Sequence, residues 1–188
     1  MDPEVIVSGV DESTVESTNA RTLCATLARM KAEAVATRMR QHEHPSGPAV
    51  ILGCDSMLEF DSEILGKPLD DADAMRRWQD MRGRAGTLHT GHCVIELDTG
   101  ATADEVASTT VHFADLSDDE IQAYVGTGEP AHVAGAFTID GLGGWFVDRI
   151  EGDAGTVIGV SLPVLRRLLG EVGVGVTDLW AAGLRSTT

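Results

Sequence analysis

The run Ala49-Val50-Ile51-Leu52-Gly53-Cys54 constrains this chain more than any other stretch. It is short, continuous and apolar. His44-Pro45-Ser46-Gly47-Pro48, a clear breaker, precedes it, and Asp55-Ser56 ends it. Such a run predicts a strand buried on both faces, and a strand of that kind needs helices to cover it. The sequence supplies them. Residues 19 to about 40 carry Leu23, Leu27, Met30 and Ala34 at helical spacing. A second helix follows the potential cap Asp70-Asp71 and carries Met75, Trp78 and Met81. A third opens on the capping box Ser117-Asp118-Asp119-Glu120 and runs to about Val125. A fourth spans residues 162–172. Further strands are expected at residues 4–9, at 145–150, in a hairpin over 57–65 turning at Asp61-Ser62, and in a long pair over 87–97 and 105–113. Helices thus alternate with strands, and a long hairpin interrupts them. The predicted class is α/β, a mixed twisted sheet with flanking helices.

No repeat or linker divides the 188 residues, so residues 1–188 are expected to form one domain. The net charge is −16, from 14 basic and 30 acidic residues. That balance excludes a general nucleic-acid polymer binder and an anionic membrane surface as partner. If the chain binds phosphate, it does so at a local site. No run approaches the ~18 apolar residues of a membrane span. The start, Met1-Asp2-Pro3-Glu4, is acidic and lacks a signal peptide's basic and apolar regions. Cys24, Cys54 and Cys93 are odd in number with no CxxC pair, which reads as reduced thiols in a cytoplasmic protein. His89 and His92, three apart in an expected strand, would point to opposite faces and make a poor zinc pair.

Of the 14 basic residues only two are lysines, Lys31 and Lys67. A chain that uses Arg almost everywhere invites a reason for these two, since a compact ammonium does what a planar guanidinium does not. Chance survival on the surface remains the plain alternative. Lys31 lies beside the apolar stripe of its helix, and Lys67 lies between Gly66 and Pro68. Asp55 follows the buried run, where open α/β sheets bind ligands, although an aspartate there also caps turns. Asp11-Glu12 follows the first expected strand, and Glu12 and Asp55 could share a metal if those strands adjoin. Gly135, Gly141, Gly143 and Gly144 crowd around Asp140. Such a loop can wrap a ligand closely, yet it matches no dinucleotide or P-loop fingerprint.

Taken in order, several segments resemble the Maf family of nucleotide pyrophosphatases: Val10-Asp11-Glu12, Ala28-Arg29-Met30-Lys31-Ala32, Gly53-Cys54-Asp55-Ser56, Leu65-Gly66-Lys67-Pro68 and Thr90-Gly91. Leu116-Ser117 with Glu120-Ile121, Ala134-Gly135-Ala136-Phe137, Gly141-Leu142-Gly143-Gly144, Ile150-Glu151-Gly152-Asp153 and Val157-Ile158-Gly159 continue the match. No single piece is specific, but the ordered set is. The resemblance implies a Maf/inosine-triphosphatase-like fold. It also implies hydrolysis of a nucleoside triphosphate, possibly a modified one, to the monophosphate and diphosphate with a divalent cation, Mg or Mn. By position, Asp55 would accept the proton, Glu12 and Asp55 would hold the metal, and Lys31 and Lys67 would neutralise the triphosphate. Ser56 and Asp140 stand where the family tunes base choice. A homodimer is implied by likeness alone.

The family's opening strand and Ser-x-Ser-Pro-x-Arg loop have no counterpart in these residues. The expectation is that Met1 is internal to a longer natural chain, or that this is a truncated relative. Val133 and Asp140 replace the Lys and Gln usual in members specific for thymidine and uridine triphosphates, so that preference is not carried over. A carboxylate at 140 accepts from a ring N–H or amino group and cannot donate to a base carbonyl. Two rival readings remain: an inosine-triphosphate-type purine pyrophosphatase, and a nucleotide-binding or division-regulating module with weak or no turnover.

Overall fold

The computed structural model describes residues 3–42 and 49–184. The breaker expected at residues 44–48 lies outside the described residues. In chain order the elements are α1 (Ala20–His42), β1 (Val50–Phe60), β2 (Glu63–Leu65), α2 (Asp71–Met81), β3 (Ala85–Glu96), β4 (Thr102–Phe113), α3 (Asp118–Val125), β5 (Val147–Glu151), α4 (Ala154–Ile158), α5 (Leu162–Glu171) and α6 (Val176–Leu184). The five strands form one sheet in the order β2-β1-β3-β4-β5. The architecture is the expected α/β one, with helices flanking the sheet, and all four of its ladders are antiparallel.

Strand register explains the layering. Ile51, Gly53, Asp55 and Met57 pair with Ile95, Cys93, Gly91 and His89, so these residues share one face. α1 packs on that face. Leu52, Cys54, Ser56 and Leu58 pair with Val94, His92, Thr90 and Leu88 on the other. There α5 covers Val94 and Leu52 through Val164, Leu168 and Leu169. α2 and α3 cover Leu58, Leu88 and Phe113 around the buried Trp78. His89 and His92 therefore do lie on opposite faces.

Three expectations are corrected. Residues 4–9 are not a strand: they run as irregular chain, with Val5 and Val7 91% and 81% exposed, while Ile6 alone packs against the core. No neighbouring strand pairs with them among the described residues, and an unpaired strand has nothing to hold it. The buried run does not end at Cys54, because it continues through Asp55 to Phe60 as one strand of the hairpin that turns at Asp61-Ser62. Both turn residues have positive φ, 50° and 67°. The buried stripe of α1 is also rotated from the expected one. Cys24, Leu27, Ala28, Ala32 and Ala36 are buried, while Leu23 and Met30 are only half-buried. The cause is the closeness of the helix to the sheet. A Cβ on Gly53 would overlap the Ala28 carbonyl oxygen and lie 2.8 Å from Ala32 N, and one on Gly91 would lie 2.8 Å from Ala25 N. Small residues win at such a seam, whatever the hydropathy of their neighbours.

The capping signals hold: Asp70 caps α2, and Ser117 with Glu120 closes a reciprocal capping box on α3. Asn19 adds a cap to α1, its Oδ1 accepting from Thr22 N at 2.9 Å. Among the described residues, no helix is long and apolar enough to cross a membrane.

Candidate active site

The seam beneath α1 decides where the charged side chains meet. Asp55 stands on the α1 face of β1, opposite Gly91. With the helix this close, Lys31 reaches over the sheet and its Nζ donates to Asp55 Oδ1. The same ammonium lies 2.8 Å from Glu12 Oε1. Glu12 is presented by a single 3-10 turn, Glu12–Thr14, which Asp11 caps by accepting from Ser13 N at 3.1 Å. Glu12 and Asp55 thus share a lysine, and they come together although no strand precedes Glu12 to adjoin β1 among the described residues.

Burial is graded across the trio: the side chains of Asp55, Lys31 and Glu12 are 9%, 23% and 51% exposed. Desolvation therefore falls hardest on Asp55 and lifts its pKa above the ordinary carboxylate value, with Glu12 adding to the rise. The hydrogen bond and charge of Lys31, and the charge of Lys67, pull it back without cancelling the lift. Burial also works against the charge of Lys31, but Asp55 and Glu12 outweigh it and hold the ammonium above its ordinary value. Asp55 Oδ2 is buried and has no hydrogen-bond partner among the described residues. A buried acceptor left open in this way is costly unless something occupies it.

Lys67 enters from the turn after β2. Gly66 O accepts from Gly135 N at 3.0 Å and from Arg77 Nη1 at 2.7 Å, which fixes the turn. Arg77 is itself held 2.7 Å from the buried Asp73. Ser56 points to the opposite face, where its hydroxyl meets Thr90 Oγ1 at 2.8 Å and Thr90 donates to Thr156 O at 2.7 Å. Glu12, Lys31, Asp55, Ser56 and Lys67 line one cavity of about 440 Å³, and both lysines of the chain are among them. Cys54 lines it too, but burial and the Asp55 charge push its thiol up to about 12, so it stays protonated and is no nucleophile. Asp140 does not line this cavity. It is exposed on the loop beyond Ala134 and accepts from Thr138 Oγ1.

Comparison with known proteins gives this arrangement a lineage. The family description "Maf-like protein" matches residues 1–172. This chain belongs to the Maf family. Its relatives include a Salinispora tropica protein, 60% identical over 97% of this chain and 80% of its own length. A Streptomyces coelicolor protein is 52% identical over 95% and 84%. A Nocardia farcinica protein is also 52% identical, over 96% and 87%. All three are named nucleoside triphosphate pyrophosphatase.

Maf-type pyrophosphatases are metal-dependent hydrolases. No group of three or more His, Cys, Asp or Glu side chains able to hold a metal occurs among the described residues. Two carboxylates do converge, one with a buried open oxygen. That set fits a hard cation of the Mg type, which typically takes one or two protein carboxylates and fills its shell with water and substrate phosphates.

The supports of the site were not legible in the sequence. Arg77 reads as one of several helix-surface arginines; it acts by gripping another element. Only the glycines left a trace, as Gly residues interrupting strand patterns at 53 and 91.

Proposed function

We propose that this Maf chain hydrolyses a nucleoside triphosphate to the nucleoside monophosphate and diphosphate. The observation that carries this reading is the trio in which Lys31 joins Glu12 and Asp55, with Lys67 lining the same cavity. Water attacks the α-phosphorus, the bond from that phosphorus to the bridging oxygen breaks, and diphosphate leaves. Asp55 takes the water's proton, and the raised affinity for a proton suits it to that work. The ammoniums of Lys31 and Lys67 offset the phosphate charge that a −16 chain would otherwise repel. Glu12 and Asp55 would hold a divalent cation, Mg or Mn, which when bound withdraws charge from the phosphates and acidifies a neighbouring water.

Ser56 and Asp140 select the base. Asp140 accepts hydrogen bonds only, which favours bases that present an N–H or amino group to it. The three cysteines are free, in keeping with a cytoplasmic enzyme working on the nucleotide pool. The test is diphosphate release with Mg or Mn across standard and modified nucleoside triphosphates. Release that requires the cation and Asp55 is the expected result, and no release from any nucleotide overturns the reading in favour of a binding module.

A further inference from the structure

The glycine loop at residues 141–144 looks in sequence like one that could wrap a ligand closely. Two successive amides, Leu142 N and Gly143 N, do point at a carboxylate, but it is the chain's own. Glu129 accepts from Leu142 N at 2.9 Å, from Gly143 N at 2.8 Å and from the Tyr124 hydroxyl at 2.8 Å. The nest is filled from within. Its glycines are explained by that grip. A Cβ on Gly141 would lie 2.8 Å from the Glu129 carboxyl carbon, and one on Gly143 would lie 2.9 Å from the Tyr124 Cζ.

Three donors on one carboxylate tie three pieces of chain together. Tyr124 belongs to α3, which is packed into the core around Trp78. Glu129 opens the segment that leads to Ala134 on the cavity wall. Leu142 and Gly143 follow Asp140 with only Gly141 between. Burial alone would raise the Glu129 pKa, but the two backbone N–H groups and the phenol hold it below its ordinary value, so the tie is ionised at neutral pH. The Tyr124 hydroxyl, pushed well up by burial and by Glu129, stays a donor.

We propose that Glu129 is a positioning residue for base selection: without touching substrate, it fixes the loop that carries Asp140 relative to the cavity wall at Ala134. The inference rests on the reading that Asp140 selects the base. Loosening this tie should therefore change which nucleotides are accepted more than how fast a bound one reacts.

The experiment measures kcat and KM with ATP, GTP, CTP, UTP, dTTP, ITP and 5-methyl-UTP for the parent chain, Glu129→Gln, Tyr124→Phe, Asp140→Asn and the Glu129→Gln/Asp140→Asn double variant. In Glu129→Gln an amide NH2 faces the Leu142 N–H, donor against donor. The expected result is a loss of roughly ten- to hundred-fold in kcat/KM for the best nucleotide, carried by KM, with the spread across the panel compressed to match. Tyr124→Phe, which removes one donor of three, should compress the panel by about three-fold or less, and it serves if Glu129→Gln melts early. The double variant should be no flatter than Asp140→Asn alone, because one residue acts through the other. An equal fall in kcat for every nucleotide, or an unchanged panel, overturns the positioning role. An Asp140→Asn panel identical to the parent's overturns the underlying reading of Asp140 instead.

Discussion

Two regions of this molecule are packed by opposite means. Beneath α2 and α3, large rings fill space. Trp78 meets Phe113 and Tyr124 edge-on with centroids 5.5 Å away in each case, and its Nε1 donates to Ala136 O at 2.9 Å. Beneath α1 the filling is an absence: Gly53 and Gly91 face Ala28, Ala32 and Cys24 so closely that no Cβ fits. The aromatic cluster buries much apolar area and so carries stability. The glycine seam buries little per residue, but it sets the distance between a helix that carries Lys31 and a strand that carries Asp55. Bulk secures the fold and thinness secures the site.

That division is broken most sharply by Asp55→Asn. Turnover should fall by about 10²–10⁴-fold in a diphosphate-release assay, the range of a lost general base, while circular dichroism reports an unchanged fold. Trp78→Ala should do the reverse. Urea unfolding should register a loss of about 3–5 kcal/mol, with kcat of the molecules that remain folded unchanged. If kcat collapses along with stability, the two regions are one unit. Gly91→Ala tests the seam itself. It should cost only about 1–3 kcal/mol by overpacking, yet lower kcat/KM roughly ten- to hundred-fold as α1 is displaced. A stability loss without a kinetic one would show that the helix shift is not felt at Lys31.

The smallest effect is a displacement along the pH axis. Because burial raises the Asp55 pKa, its ionised form, which we propose as the base, is lost as pH falls through a value above that of an ordinary carboxylate. The acid limb of kcat/KM should sit correspondingly high. Lys31 pulls that pKa down, so in Lys31→Met the limb should move further up. A limb at the position of an exposed aspartate would contradict the burial account.

The same contrast explains what the sequence could reveal. The aromatic cluster was legible: Met75, Trp78 and Met81 mark a buried helix face, and the capping box of α3 announces itself. Asp55 was legible because it interrupts an apolar run, and Lys31 because lysine is scarce in this chain. The stripe of α1 was misread, since hydropathy favours Leu23 and Met30 where the seam takes Cys24, Ala28 and Ala32. The expected strand at residues 4–9 failed for a related reason. Alternation of valines states a preference, and only a hydrogen-bonding neighbour turns it into a strand. Glu129 and Arg77 left no local signal, because each acts on a neighbouring segment whose position only the fold sets.

One feature of the site reaches beyond chemistry to encounter. Glu12 and Asp55 carry two negative charges, and Lys31 and Lys67 two positive ones, so the cavity is close to neutral within a chain of −16. A free triphosphate approaching from a distance meets the net negative charge of the chain before it comes within reach of Lys31 and Lys67. Most proteins that capture anions do so faster at low salt. Here, added salt screens the repulsion over the roughly 10 Å of a Debye length and quickens capture, so the on-rate climbs with ionic strength where a steered enzyme's would decline.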